Sequence, residues 1–546
     1  MALQDTKQDL TLADIDHVEG KDLGTVEHDE FVGQFAEQEA HEETPWQALK
    51  SHPWSSVWVV YGIGIIIACS FDNNAGGNVI SIPRFRQDYG SPFDGNYVLP
   101  AQWQSAYSGG PAASSVFGTF GGSYISDKIG RKWTMAICYV LLFAGITVEV
   151  ISHNQSNPNA VFFAGKLING FAIGGLLATA LTYIGEIAPL ALRGILLALS
   201  AIAFTVGGII ITLIINSFGT LDSEWAYKSC FVAQYGVTGI VAAFWIFMPE
   251  SPTWLLSRGR DQHAAQALKR MGHSQVQGEK AIATIKLTLE RARAETAGVT
   301  YLDCFKKSNL RRTIIASMPL SIQAFCGVFW VAGFSTYYMQ LAGYSTAMSF
   351  KLGIVQQVIS MVGNLCACVL IERVGRRALT LWGIVALTIL LMVTGGLACV
   401  GTPSANKGTV ALILFYCWLY NVTIGATAYV ALAEIGTSRL RAKTASIAIG
   451  VQGCFSCMWN FVLPYLFNPD QANLGAKTAF IFGGFSIFCC VYLYFYHPET
   501  KGRSYQELDE LFAKGVPARQ FASYVTDAQT EAIQVKQRVQ DGELSL

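Results

Sequence analysis

Charge is what this sequence has least of. Of its 546 residues only 14% are Asp, Glu, Lys or Arg, against about 25% in an average soluble domain, while 52% are hydrophobic. The mean hydropathy is +0.36. A soluble chain of this length needs far more polar surface, and so much apolar side chain cannot all be hidden in one water-soluble core. Net charge is also missing: 38 basic residues balance 38 acidic ones. No basic field points to nucleic acid. No P-loop, nucleophile–base set or metal-ligand cluster appears, so neither an enzyme nor a metal or organic cofactor is expected. Residues 1–52 lack the basic segment and apolar core of a signal peptide. With Asp5, Asp9, Asp14, Asp16, Glu19, Asp22, Glu42 and Glu43 they read as an acidic, solvated tail.

The 13 cysteines lie almost all inside apolar stretches, Cys304 being the exception. Cys454 and Cys457 form a CxxC, but Phe455 and Ser456 between them continue a helical apolar run. They read as packing residues on one helix face, not as a redox or zinc motif.

What the sequence does have is hydrophobic length. A membrane-crossing helix needs about 20 mostly apolar residues. Such stretches are expected near 57–80, 103–125, 134–152, 160–183, 195–218 and 227–248, and again near 313–339, 348–371, 378–400, 409–432, 444–467 and 477–496. The expected fold is thus an all-α membrane protein of twelve spans. Its organisation is an N-terminal tail (1–52), a six-helix half (53–248), a polar linker (249–312), a second six-helix half (313–496) and a C-terminal tail (497–546). Basic residues gather in alternate loops, at Lys128, Arg131 and Lys132, at Arg373, Arg376 and Arg377, and at Arg439, Arg441 and Lys443. By the positive-inside rule these loops and both tails are cytoplasmic. Arg84, Arg86 and Lys407 run mildly against that assignment. Asn154, in the sequon Asn154-Gln155-Ser156, falls in a predicted outer loop and is a glycosylation candidate. Asn421-Val422-Thr423 has the same pattern in mid-span, where glycosylation cannot reach.

The halves repeat each other. Asp127-Lys128-Ile129-Gly130-Arg131-Lys132 returns as Glu372-Arg373-Val374-Gly375-Arg376-Arg377, 245 positions on. Glu186 with Arg193 returns as Glu434 with Arg441 after 248 positions, and Pro249-Glu250-Ser251 as Pro498-Glu499-Thr500 after 249. Three motifs at nearly one offset mark a duplicated six-helix unit, the plan of a rocking transporter with its site between the halves. Topology alone explains the bases, but not the paired acids or the glycines. These residues are therefore expected to form an inner gate, with acid–base pairs joining the halves while the inside is closed.

Together these motifs, with Pro189 and Gly194 beside Glu186 and Arg193, and Lys501-Gly502-Arg503 after Thr500, resemble the sugar porter family of the major facilitator superfamily. Tyr301 to Phe305, Ser335 to Tyr338, Ser438 to Thr444 and Gly515 to Arg519 are similar to fungal α-glucoside (maltose-type) permeases. The resemblance implies the major facilitator fold and transport of a sugar, an α-glucoside or other disaccharide or a hexose, in a plasma membrane by a monomer.

A carboxylate within the first span, Asp72, is costly unless paired, hydrated or neutral. Lys166 in the fourth span is the natural counter-charge. A static ion pair is the plainer reading. The resemblance implies proton coupling, with the proton as the only coupling ion, although the family's base is Arg and Lys lacks its forked geometry. For the substrate, the resemblance points to Gln323, Asn421, Tyr429, Tyr337, Tyr338, Trp459 and Asn460, with Gln356, Gln357 and Asn364 as further polar candidates. Carboxamides bind hydroxyls and aromatics stack on sugar rings. Gly327 and Gly333 allow a helix break that opens backbone to the cavity. Ala324, Phe329 and Ala201 stand where the family has polar ligands. A non-sugar metabolite is therefore the second reading, and a nutrient sensor with little transport the third.

Overall fold

The structure, a computed structural model, describes residues 50, 53–188, 190–296, 300–437, 440–503 and 505–526. Arg439, most of the N-terminal tail and the end of the C-terminal tail lie outside the described residues, as does the side chain of Arg193.

Twelve spans cross the molecule. The first six are the helices Pro53–Val79, Ala101–Ile129, Arg131–Ile151, Pro158–Ile187, Leu190–Phe218 and Trp225–Trp245. The seventh is split into Lys307–Phe325 and Val328–Leu341, and the tenth into Pro403–Val422 and Ile424–Ile435. The eighth, ninth, eleventh and twelfth are Thr346–Val374, Arg376–Val400, Arg441–Phe467 and Thr478–Tyr496. By length and hydropathy alone, ten of these cross a membrane among the described residues. The second and sixth spans are long enough but more polar. Their polar side chains find partners inside the bundle: Gln104 donates to Asn468 at 2.9 Å, and Gln234 donates to Asp72.

The breaks in the seventh and tenth spans have different causes. Gly327 adopts φ +96°, a left-handed conformation open to glycine without strain, and it starts the second segment of the seventh span. Thr423 breaks the tenth at φ −107°, ψ −106°; nothing in the sequence announced that break. The expected start of the seventh span at 313 was late, because the helix begins at Lys307. Its first two turns carry Lys307, Arg311 and Arg312 and lie in the polar margin, where hydropathy gives no signal. The linker is also structured, with helices Pro252–Ser257, Asp261–Arg270 and Gln275–Thr296 and a tight turn at Tyr301–Phe305. Cys304 in that turn is fully buried, and its carbonyl accepts from Thr313 at 2.9 Å.

The repeated motifs fold as two copies of one device. Gly130 and Gly375, both at φ +99°, separate the second span from the third and the eighth from the ninth. Each opens the N-terminus of the next helix to a carboxylate from the end of its own half. Glu250 accepts from the backbone N–H of Arg131 at 2.9 Å and of Lys132 at 3.2 Å. Glu499 accepts from those of Arg376 at 2.9 Å and Arg377 at 3.1 Å. A negative charge at a helix N-terminus contributes about 0.3–2 kcal/mol. Burial pushes the Glu250 carboxyl above its ordinary range, and the backbone donors oppose that shift. A Cβ at position 375 would sit 2.7 Å from the Glu499 carboxylate in a backbone conformation disfavoured for L residues. Gly375→Ala is therefore expected to lower the melting temperature of the purified protein by several degrees, for about 2 kcal/mol of strain and lost capping. Thermal unfolding followed by tryptophan fluorescence checks this.

The guanidinium of each motif is clamped between acids. Arg131 pairs with Glu186 at 2.7 Å and Asp127 at 3.3 Å, and Arg376 with Glu434 at 2.9 Å and Glu372 at 2.8 Å. Each of these four ion pairs closes within its own half. Lys132 and Arg377 each donate to backbone carbonyls at the end of their half, of Ile246 and His497 respectively.

The halves meet at the face opposite the motifs. Arg86 donates to Gln340 at 2.8 Å, Gln340 to the Ser81 carbonyl at 2.8 Å, and Ser105 to the Phe461 carbonyl at 2.7 Å. Arg86, at odds with the loop-charge pattern, thus serves as a bridge between halves, and Arg84 is neutralised by Asp88 at 3.1 Å. Asn154 sits exposed at this face, at the end of the turn Ser152–Asn154.

Candidate functional site

A cavity of about 520 Å³ lies between the halves, within the usual range of ligand pockets. The N-terminal half lines it with Asp72, Asn73, Asn74, Lys166 and Asn169, and the C-terminal half with Gln323, Phe329, Tyr420, Tyr429, Gln452 and Asn460. Carboxamides and phenols from opposite sides thus converge on one space, with aromatic faces between them.

Asp72 and Lys166 face each other at 3.5 Å, both buried. They are not alone. Lys166 lies closer, at 3.1 Å, to Glu149 of the third span. Asn169 donates to the same Glu149 oxygen at 2.6 Å, and Gln234 of the sixth span donates to Asp72. The ammonium also lies 5.7 and 5.9 Å from the ring centres of Phe162 and Phe231. Glu149 and Gln234 went unrecognised in the sequence. A signal for Glu149 existed: a lone acid in the apolar run from Leu141 to Ile151, costly there without a partner.

Gln323 spans two structural needs. Its amide donates to the carbonyls of Ile424 at 3.0 Å and Gly425 at 3.2 Å, just past the break in the tenth span. Its oxygen accepts from Gln452 at 2.8 Å. The broken helix frees backbone groups that must be satisfied inside a membrane, and Gln323 supplies the donor.

The other candidates divide. Tyr429 and Asn460 line the main cavity, whereas Asn421 and Gln357 line a smaller adjoining one of about 180 Å³. Asn421 donates to Cys417 in its own helix at 2.8 Å. Trp459, one residue from Asn460, points the other way, with its ring centre 4.6 Å from that of Phe482. Helical geometry turns adjacent residues apart by about 100°, so only one of the two can face the cavity. Tyr337 and Tyr338 are buried away from it: Tyr337 donates to Asn468 at 3.3 Å beneath Arg86, and Tyr338 packs on Trp330. Asn364 reaches across to Thr205 at 3.1 Å and lines neither cavity. Of the fifth span, Phe204 reaches the cavity and Ala201 does not. Among the described residues no cluster could hold a metal ion.

The sequence model of the "Sugar (and other) transporter" family matches residues 57–512. The chain belongs to this sugar transporter family. The General alpha-glucoside permease of Saccharomyces cerevisiae is 30% identical over 502 residues, covering 90% of this chain and 80% of that one. The MFS transporter fmqE of Aspergillus fumigatus is 28% identical over 524 residues, covering 93% and 96%. Among solved structures, the xylose transporter XylE of E. coli in a partially occluded inward open conformation superposes with a TM-score of 0.68 at 18% identity, over 83% of this chain and 100% of that chain. XylE described as a proton:xylose symporter, bound to 6-bromo-6-deoxy-D-glucose, gives 0.65 at 20% identity, over 85% and 100%. At such identities the likeness is one of fold, and the fold is that of a major facilitator: two six-helix halves around a central cavity. The protein is a multi-pass membrane transporter of this family. Members of the sugar transporter family carry solutes across the membrane.

Proposed function

We propose that this protein is a proton-coupled symporter of α-glucosides, a disaccharide such as maltose being the type substrate, working by alternating access. The observation that carries the reading is the buried Asp72–Lys166 pair in the wall of a polar cavity between the halves. Asp72 is the proton carrier and Lys166 its counter-charge, so that loading and release of the proton follow the exposure of the cavity. Gln323, Tyr429, Asn460 and, in the side compartment, Asn421 and Gln357 hold the hydroxyls. Tyr337 and Tyr338 belong to the closed outer gate, and the Arg131 and Arg376 clusters to the inner one. The positive-inside rule supports a cytoplasmic motif face and cytoplasmic tails. The bridges on the opposite face then make this an inward-facing state, and Asn154 a glycosylation site on the outside. Relatives that are α-glucoside permeases support the substrate class, and a plasma-membrane monomer fits both.

Phe329, an apolar side chain in the cavity wall where a polar ligand is expected, favours a second reading, in which a less polar metabolite is carried. Uptake of labelled maltose by cells expressing the protein, with and without a protonophore, tests the first. Accumulation that the protonophore abolishes supports symport. Maltose binding without flux, or efflux of a non-sugar, would replace it with a sensor or an exporter.

A further inference from the structure

The cluster around Lys166 holds two carboxylates for one cation. Asp72 lies 3.5 Å and Glu149 3.1 Å from the same ammonium nitrogen. The two acids are not equivalent. Asp72 lines the cavity; Glu149 does not, and its side chain has no solvent exposure. One Glu149 oxygen is shared by Lys166 and Asn169, while the other, Oε2, is buried without a hydrogen-bond partner. The side-chain oxygens of Asn169, which donates to Glu149, and of Gln234, which donates to Asp72, are also buried and unpartnered. Such a site is polar, open to the cavity only through Asp72, Lys166 and Asn169, and one positive charge short. The other ionisable groups that face it are the Cys69 and Cys230 thiols and the Tyr89 phenol, uncharged at neutral pH in their ordinary ranges.

Charge counting separates what the acids do. With Asp72, Lys166 and Glu149 all ionised, the cluster carries −1; a proton on Asp72 brings it to zero. Without Glu149 the same step would run from zero to +1, an uncompensated cation in a low-dielectric wall. We propose that Glu149 is a positioning residue for the proton step: its fixed charge behind Lys166 makes the proton-loaded cluster the neutral one, and so sets the pH at which Asp72 loads. It also accounts for a lysine at the position of the usual arginine. A buried lysine readily gives up its proton, and the second carboxylate at 3.1 Å holds that proton in place. The inference rests on Asp72 being the proton carrier.

The test is the pH profile of labelled-maltose uptake into proteoliposomes holding the full-length protein. Glu149→Gln keeps the acceptor oxygen for Lys166 and Asn169 but removes the charge. Half-maximal proton-driven uptake should move about one pH unit or more toward acid, while maltose exchange at equal pH stays measurable and reports a folded protein. Returning a carboxylate from the sixth span, with Gln234→Glu added to Glu149→Gln, should move the profile back. An unmoved profile in an exchange-competent Glu149→Gln protein overturns the proposal, and so does a profile the second change does not restore. Wild-type uptake indifferent to a protonophore instead overturns the reading of Asp72. For variants that do not fold, infrared pH-difference spectra of the purified wild type give a second measure. One buried carboxyl of the cluster should gain a proton on acidification, and two gaining protons together would overturn the assignment.

Discussion

Asp72→Asn is expected to abolish uphill accumulation and leave substrate exchange running. The asparagine has nearly the same shape and can still meet the Gln234 amide, but it cannot carry a proton. Lys166 keeps Glu149 at 3.1 Å, so the variant leaves no stranded cation. A coupled protein can concentrate its substrate about tenfold for each pH unit across the membrane. The variant should bring internal and external maltose to equality, whatever the gradient. The comparison is internal against external label at steady state, with exchange of preloaded maltose measured in parallel. Continued accumulation above equality would remove Asp72 from the coupling step. Loss of both activities would point to a structural pair.

Gln323→Ala has the second large effect expected. It deletes the donor to the Ile424 and Gly425 carbonyls and the acceptor for Gln452. Each buried polar group left unsatisfied costs about 1–3 kcal/mol. Gln323 also faces the cavity, so the same change removes a ligand for a hydroxyl. The apparent KM for maltose should rise at least about tenfold, one such group being worth that factor. Part of the loss should be structural, read as a lower melting temperature. Uptake kinetics together with thermal unfolding separate the two. An unchanged KM with a lowered melting temperature would make Gln323 a brace for the broken helix and nothing more.

Much of this molecule was legible before any coordinates. Hydropathy announces a span wherever about 20 apolar residues run together. The stretches read from the sequence fall on all twelve helices, although by length and hydropathy alone only ten pass among the described residues. The seventh one was placed late, because Arg311 and Arg312 look like linker. The Asp72–Lys166 juxtaposition, across 94 positions of chain, could be guessed because each residue is anomalous in its own helix. Glu149 is just as anomalous and makes the shorter ion pair with Lys166. It was missed because no repeat or motif drew attention to it.

Other features had no signature at all. The Thr423 break lies in a run as apolar as its neighbours, and a carbonyl freed by a broken helix leaves no mark in the side-chain pattern. Whether Trp459 or Asn460 faces the cavity depends on helix rotation, which packing against Phe482 decides. The inner-gate motifs illustrate the same division. Their offset of 245 to 249 residues was plain, and so was the need for glycine and carboxylate. That Glu250 and Glu499 are caps for the helices begun by Arg131 and Arg376 follows only from three-dimensional proximity across more than a hundred residues.

By itself, then, the sequence determined the twelve-helix duplicated architecture and named the anomalous polar residues within it. These are properties of local composition and of internal repetition. The tertiary structure alone decided which of those residues share a cavity, which pairs stay within one half, and that Lys166 answers to two carboxylates. In an apolar medium a charged or polar side chain must find its partner wherever the packing of distant helices puts one, and the chain does not write that address next to the residue.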